Sequence, residues 1–62
     1  MPRPHRTALM PVGTIIEEAD GTRYTKTAES RREPFPWTAV VGEFGDERMV
    51  HLLDDGAQVV EP

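Results

Sequence analysis

The sequence predicts an all-β fold, and three observations carry that reading. Gly/Asp turn signals stand in Ala19-Asp20-Gly21-Thr22, Phe44-Gly45-Asp46-Glu47 and Asp54-Asp55-Gly56-Ala57. Glycine beside aspartate supplies the positive φ angles that tight hairpins need. The runs flanking each signal are rich in Val, Ile, Thr and aromatic residues, which suit a pleated, half-buried surface. Ahead of them, Pro2, Pro4 and Pro11 fix φ, remove amide donors and push their predecessors toward extended backbone. The expectation is an extended, proline-containing basic arm over residues 1–11 and a single small β domain over 12–62.

The first hairpin spans Val12 to Thr27. A two-residue Asp20-Gly21 loop would set Glu17 opposite Tyr24 and Ile15 opposite Lys26, mixing charged and apolar side chains on one face. A three-residue Ala19-Asp20-Gly21 loop, with Gly21 left-handed in a bulge, sets Ile16 opposite Tyr24 and Glu17 opposite Arg23. Aromatic/β-branched and opposite-charge cross-strand pairs each contribute roughly 0.2–1 kcal/mol, so this second register is preferred. It turns Val12, Ile16 and Tyr24 toward the core.

For the second hairpin, Gly45-Asp46 as a type II′ loop pairs Glu43 with Arg48, Val41 with Val50 and Ala39 with Leu52. One face then collects Trp37, Ala39, Val41, Val50 and Leu52, while Thr38, Val40, His51 and Leu53 share the other. Continuing through Asp55-Gly56, Leu52 pairs with Val59 and Leu53 with Gln58. The result is a meander of Trp37 to Glu43, Glu47 to Leu53 and Ala57 to Glu61. Together with the first hairpin it makes five short strands, which close most economically as a small SH3-like or OB-like barrel or roll.

A chain of 62 residues buries only about 60% of the surface its unfolded form exposes, so its core is thin. There is no cysteine for a disulfide, and two histidines without cysteine make no structural zinc site. A protein partner or self-association is the remaining source of buried area. No apolar run approaches the roughly 18 residues of a membrane helix, and the first residues lead into nothing like a signal-peptide core, so the expectation is a soluble chain made in the cytoplasm.

Charge is unevenly placed. Up to Pro11 there are two arginines and no acid; from Val12 onward five basic residues face eleven acidic ones. Two readings stand for the arm: a frayed terminus, or a segment in which Arg3, His5 and Arg6 lie across a neighbouring subunit or an acidic partner. Ala28 to Pro36, between the hairpins, is long for a hairpin connection and is polar until Pro34-Phe35-Pro36-Trp37. Phe35 and Trp37 alternate, so Trp37 is expected inside and Phe35 partly outside. Both aromatics could plug one end of a barrel; alternatively they form an anchor beside Arg31 and Arg32, a composition typical of protein-contact hot spots. The candidate partner-binding residues are Arg3, His5, Arg6, Arg31, Arg32, Phe35 and Trp37.

Nothing in the sequence assembles a catalytic site, so the chain is not read as an enzyme. Ser30 is the only serine and stands in a charged loop without a histidine nearby in sequence; His51 is read as a half-buried strand residue. Glu17 and Glu18 point to opposite faces of a strand, and Asp54-Asp55 form a turn, so neither pair converges for acid/base work or for calcium. No metal or cofactor site is expected. Gly42 to Gly45 lacks the Lys-Ser/Thr of a phosphate-cradling loop. The acidic body would repel phosphates, which argues against nucleic acid despite the barrel expectation.

Six arginines against one lysine, with no asparagine, is the bias of a GC-rich genome. The run Pro11-Val12-Gly13-Thr14-Ile15-Ile16, then Asp20-Gly21-Thr22-Arg23-Tyr24-Thr25-Lys26, Trp37, and Gly56-Ala57-Gln58-Val59-Val60 resembles small β-rich proteins encoded by phages of GC-rich actinobacteria. The segment from Glu29 to Pro36 stands outside that resemblance. It implies no catalytic residues. Those of such proteins that have a role are virion parts or small host-directed binders, and the thin core, the proline arm and the apolar second face of the meander (Val40, Leu53) motivate a non-catalytic protein-interaction module, foremost a minor structural or capsid-decorating or assembly subunit associated with the virion. The alternative is a small regulator or inhibitor that binds a host protein, and the third reading is a nucleic-acid-binding small barrel.

Overall fold

In the computed structural model, which describes residues 6–61, β1 (Ile15–Glu17), β2 (Arg23–Lys26), β3 (Trp37–Ala39), β4 (Gly42–Phe44) and β5 (Gln58–Glu61) form one antiparallel sheet in the order β4-β3-β2-β1-β5. A 3-10 turn (Thr7–Leu9) precedes the sheet, and a single helix, α1 (Asp46–Asp54), stands between β4 and β5. The protein is thus mostly β, with one helix where none was expected. β4 and β5 are the two edges of the sheet.

The first hairpin has the expected register, with Ile16 opposite Tyr24 and Glu17 opposite Arg23. Glu18 and Thr22 close a three-residue loop through Glu18 N–H to Thr22 C=O at 2.9 Å, and Gly21 takes φ +92° at the position that requires it. Asp20 Oδ1 accepts the Thr22 amide at 2.9 Å, and Arg23 Nε meets Glu17 Oε2 at 2.7 Å.

The meander from Trp37 to Glu61 is not formed. The run 37–43 folds back on itself: Trp37 pairs with Phe44, Thr38 with Glu43 and Ala39 with Gly42, leaving Val40-Val41 as the turn. Val40 is therefore at a solvent-exposed hairpin tip rather than on a sheet face. The run 47–53 is helix, so the expected pairs of Arg48, Val50 and Leu52 with Glu43, Val41 and Ala39 do not exist. Gly45 (φ −87°, ψ 172°) is the helix N-cap residue, not the first residue of a II′ turn. Asp46 and Glu47 occupy the first turn, where acids favour the helix dipole. Gly56 ends the helix at φ +107°, with its N–H on Leu53 C=O at 3.2 Å and the Ala57 N–H on Leu52 C=O at 2.9 Å, the paired bonds of a Schellman motif. Met49, Leu52 and Leu53 then share one helical face and pack on the core, whereas a strand would have split them between two faces. His51 is exposed on α1, correcting its expected half-buried strand position.

Because α1 replaces a strand, β5 pairs elsewhere. It lies along β1, with Ile16 opposite Val59, Glu17 opposite Gln58 and Ile15 opposite Glu61. Two residues advance on β5 for one on β1, so Val60 is a bulge residue.

Ile16, Tyr24 and Trp37 on one face of the sheet, with Met49 and Leu52 from α1, form the buried core. Phe44 packs its ring edge-on to Tyr24 at 5.3 Å between centroids. Val12, expected inside, is 54% exposed. Its neighbour Thr14 is buried instead, because Thr14 Oγ1 and N–H both bond Pro11 C=O and turn the chain at 2.7 and 3.1 Å. Within the described part of the expected arm, residues 7–9 coil into the 3-10 turn and Thr7 is buried, a departure from extended backbone. Arg3 and His5 lie outside the described residues.

Candidate interaction surface

The first hairpin's register places Lys26 on the same face as Tyr24, so a lysine enters the core side of the sheet. It is 2% exposed. A buried ammonium is tolerated only with acceptors around it. Its Nζ donates to Thr7 C=O at 3.0 Å and Ala8 C=O at 3.1 Å, and it lies 5.7 Å from the ring centroid of Trp37, its cross-strand neighbour. Trp37, fully buried as expected, donates Nε1–H to Asp46 Oδ1 at 2.8 Å. Thr7 Oγ1 donates to Asp46 C=O at 3.0 Å. The 3-10 turn, β2, β3 and the start of α1 are thereby tied at one polar hub.

Over this hub lies an open cleft of about 650 Å³, walled by Ala8 to Val12 on one side and Glu29 to Arg31 on the other, with Lys26 and Asp46 between them. Leu9, 73% exposed, and Val12 stand on the first wall. The second wall is a tight turn in which the amides of Arg32 and Glu33 both bond Glu29 C=O. Ser30 Oγ, on that wall, is shielded from solvent and is the one such side-chain atom among the described residues with no hydrogen-bond partner.

The expected contact residues separate. Arg31 lines the cleft, and Arg32 turns back on Glu29 with Nε–Oε2 of 3.4 Å. Arg6 is exposed where the 3-10 turn begins, its carbonyl accepting the Leu9 amide at 3.0 Å. Phe35 is 56% exposed, while Trp37 is fully buried and does not line the cleft. Sequence reading passed over Lys26, Thr7, Asp46, Leu9 and Val12 as site residues. For Lys26 a signal was present: Tyr24 and Lys26 alternate onto one face, so a buried Tyr24 carries the lysine inward with it.

At the opposite end of the first hairpin, Tyr24 donates its hydroxyl to Glu18 Oε2 at 3.0 Å. Burial, followed by that carboxylate, raises the phenol above its ordinary value of 10.0. The Thr22 amide and hydroxyl hold Asp20 below the ordinary carboxylate value of 3.8. Among the described residues no three His, Asp or Glu side chains are grouped so that they could hold a metal ion. No described helix is long and apolar enough to cross a membrane.

No protein-family model matches this chain, and no curated protein and no solved structure matches it.

Proposed function

We propose that the chain is a non-catalytic protein-contact module whose partner seats over the cleft between the 3-10 turn and the 28–36 loop. The observation that supports this reading is a fixed floor under an unfinished rim. Lys26 and Asp46 are held by hydrogen bonds to the Thr7 and Ala8 carbonyls and to the buried Trp37 indole, while Leu9 and Val12 project apolar surface beside them and Ser30 Oγ has no partner. Preorganised apolar anchors beside an arginine are the composition of contact hot spots. Arg31 supplies the charged member of that set.

In its more specific form the module is a phage-type minor structural or capsid-decorating subunit, and its partner is a neighbouring shell protein. The resemblance of its strand and turn residues to actinobacteriophage proteins supports that form. A regulator binding a host protein would use the same cleft but would be recovered as a discrete complex from host lysate rather than from particles. The test is affinity capture from purified particles and from host lysate, with the parent chain and a Leu9→Ser/Arg31→Glu double variant compared side by side. Retention of one defined protein by the parent and a loss of at least about tenfold in the variant, at unchanged urea midpoint, is the expected result. Equal retention by both chains would show that the cleft is not the contact.

A further inference from the structure

A second surface, sharing no residue with the cleft, runs along β5. This strand pairs with β1 on one side and is the outer strand of the sheet on the other. All four of its residues are exposed, including Val59 at 44% and Val60 at 38%. Natural edge strands are commonly blunted by lysine, proline, a bulge or a covering element; among these devices β5 itself carries the Val60 bulge and the charge of Glu61, and no lysine or proline within Gln58–Glu61. Val59 lies opposite fully buried Ile16, so it extends the core face of the sheet to the edge, where the core side is left partly open.

Where β5 begins, the first hairpin's loop meets the end of α1 in a shallow hollow of about 250 Å³. Leu52 and Ala57 contribute apolar surface, and Glu18, Asp20 and Asp55 are its acidic residues; among the described residues no cationic side chain lines it. These carboxylates are not grouped for a metal ion. An apolar floor with an acidic rim matches a long cationic side chain, whose methylene stem is apolar and whose head is charged.

We propose that β5 is a strand-addition site for an extended segment of a partner protein that is rich in β-branched residues and carries arginine or lysine. Main-chain hydrogen bonds to the outer side of β5 supply the pairing, and alternate side chains pack beside Val59. The cationic side chain enters the hollow between Glu18, Asp20 and Asp55, which selects basic segments over neutral or acidic ones. A second copy of this chain is the poorer occupant. Its own β5 brings Glu61 and no cation, and a four-residue edge buries far less than the roughly 800 Å² per partner of a stable dimer.

The test titrates the 15N-labelled full chain with the capped hexapeptide RTVTVR and, separately, with ETVTVE. Saturable amide shifts confined to residues 15–20 and 55–61 with RTVTVR, and none with ETVTVE, are expected. Affinity should fall at least about fivefold between 0.05 and 0.5 M salt and by a similar factor in Asp55→Lys, since Asp20 and Asp55 are exposed. Val60→Pro, which puts a ring on the strand, should abolish the shifts. If that variant unfolds, Asp55→Lys decides. Equal response to both peptides, shifts scattered over all acidic surfaces, or the same β5 shifts appearing with protein concentration alone would each overturn the proposal; the last would put a second copy on the edge.

Discussion

Lys26 is the residue on which the N-terminal turn depends. Its ammonium is held by two carbonyls and an aromatic face, and no carboxylate partner is needed because oriented dipoles replace water at that point. Lys26→Ala removes both charge-assisted bonds and leaves a void, so it should destabilise the protein by about 3 kcal/mol. Lys26→Met keeps the packing and removes the charge, and its cost should be nearer about 1 kcal/mol, because a buried ion and a hydrophobic side chain of similar volume are often close in stability. Urea unfolding followed by the single tryptophan, Trp37, measures both. Equal losses for the two variants would mean that the ammonium's bonds, and not side-chain volume, account for the whole effect there.

Tyr24 gives a pH dependence with a definite sign. Its phenol is raised in the folded state, first by burial and then by Glu18, so the folded protein favours the neutral form more than the unfolded chain does. The stabilisation is fully present below the unfolded value of 10.0 and is lost as pH rises through the higher folded value. As the chain has one tyrosine, phenolate absorbance reports this group alone. Its midpoint should lie above that of the urea-unfolded chain, and Glu18→Gln should move it downward by removing the lesser cause.

At the scale of elements, α1 is held in register by its ends. Gly56→Ala places a side chain at φ +107° in otherwise open space, so the cost is purely conformational, about 1 kcal/mol. A drop in thermal midpoint without loss of the native amide spectrum is the expected outcome; no change would mean that the Schellman end does not limit stability. The same glycine shows how local signals mislead. Asp55-Gly56 and Gly45-Asp46 fit hairpin turns and fit helix ends equally well as dipeptides. Met49, Leu52 and Leu53 decide between them, because three apolar side chains at positions i, i+3 and i+4 have one surface to cover in a helix and two in a strand.

For the whole molecule, the Cα radius of gyration of 10.6 Å is close to the roughly 10.5 Å of a compact domain of this length. The core is small, and the 3-10 turn, the sheet and α1 meet through Lys26, Trp37 and Asp46. Tryptophan fluorescence and far-ultraviolet circular dichroism should therefore report one coincident urea transition. Deleting residues 1–9 removes both carbonyl acceptors of Lys26 and should lower the midpoint of that transition sharply. A truncated chain as stable as the parent would show that the turn is an accessory rather than part of the fold.

The first hairpin, its three-residue loop and the pairing of Ile16 with Tyr24 are legible in the residues themselves, because turn geometry sets register across a few residues. So are the long connection over 28–36 and the burial of Trp37 with Phe35 outside. The helix over 47–53 is also legible, in the i, i+3, i+4 spacing of Met49, Leu52 and Leu53, but that β5 joins β1 instead of its sequence neighbour and that Lys26 is enclosed by residues 7 and 8 follow from the tertiary structure alone. Those last two outcomes depend on contacts between segments far apart in the chain. A turn dipeptide constrains φ and ψ where it stands, but which apolar faces meet is settled by the one arrangement that covers them all.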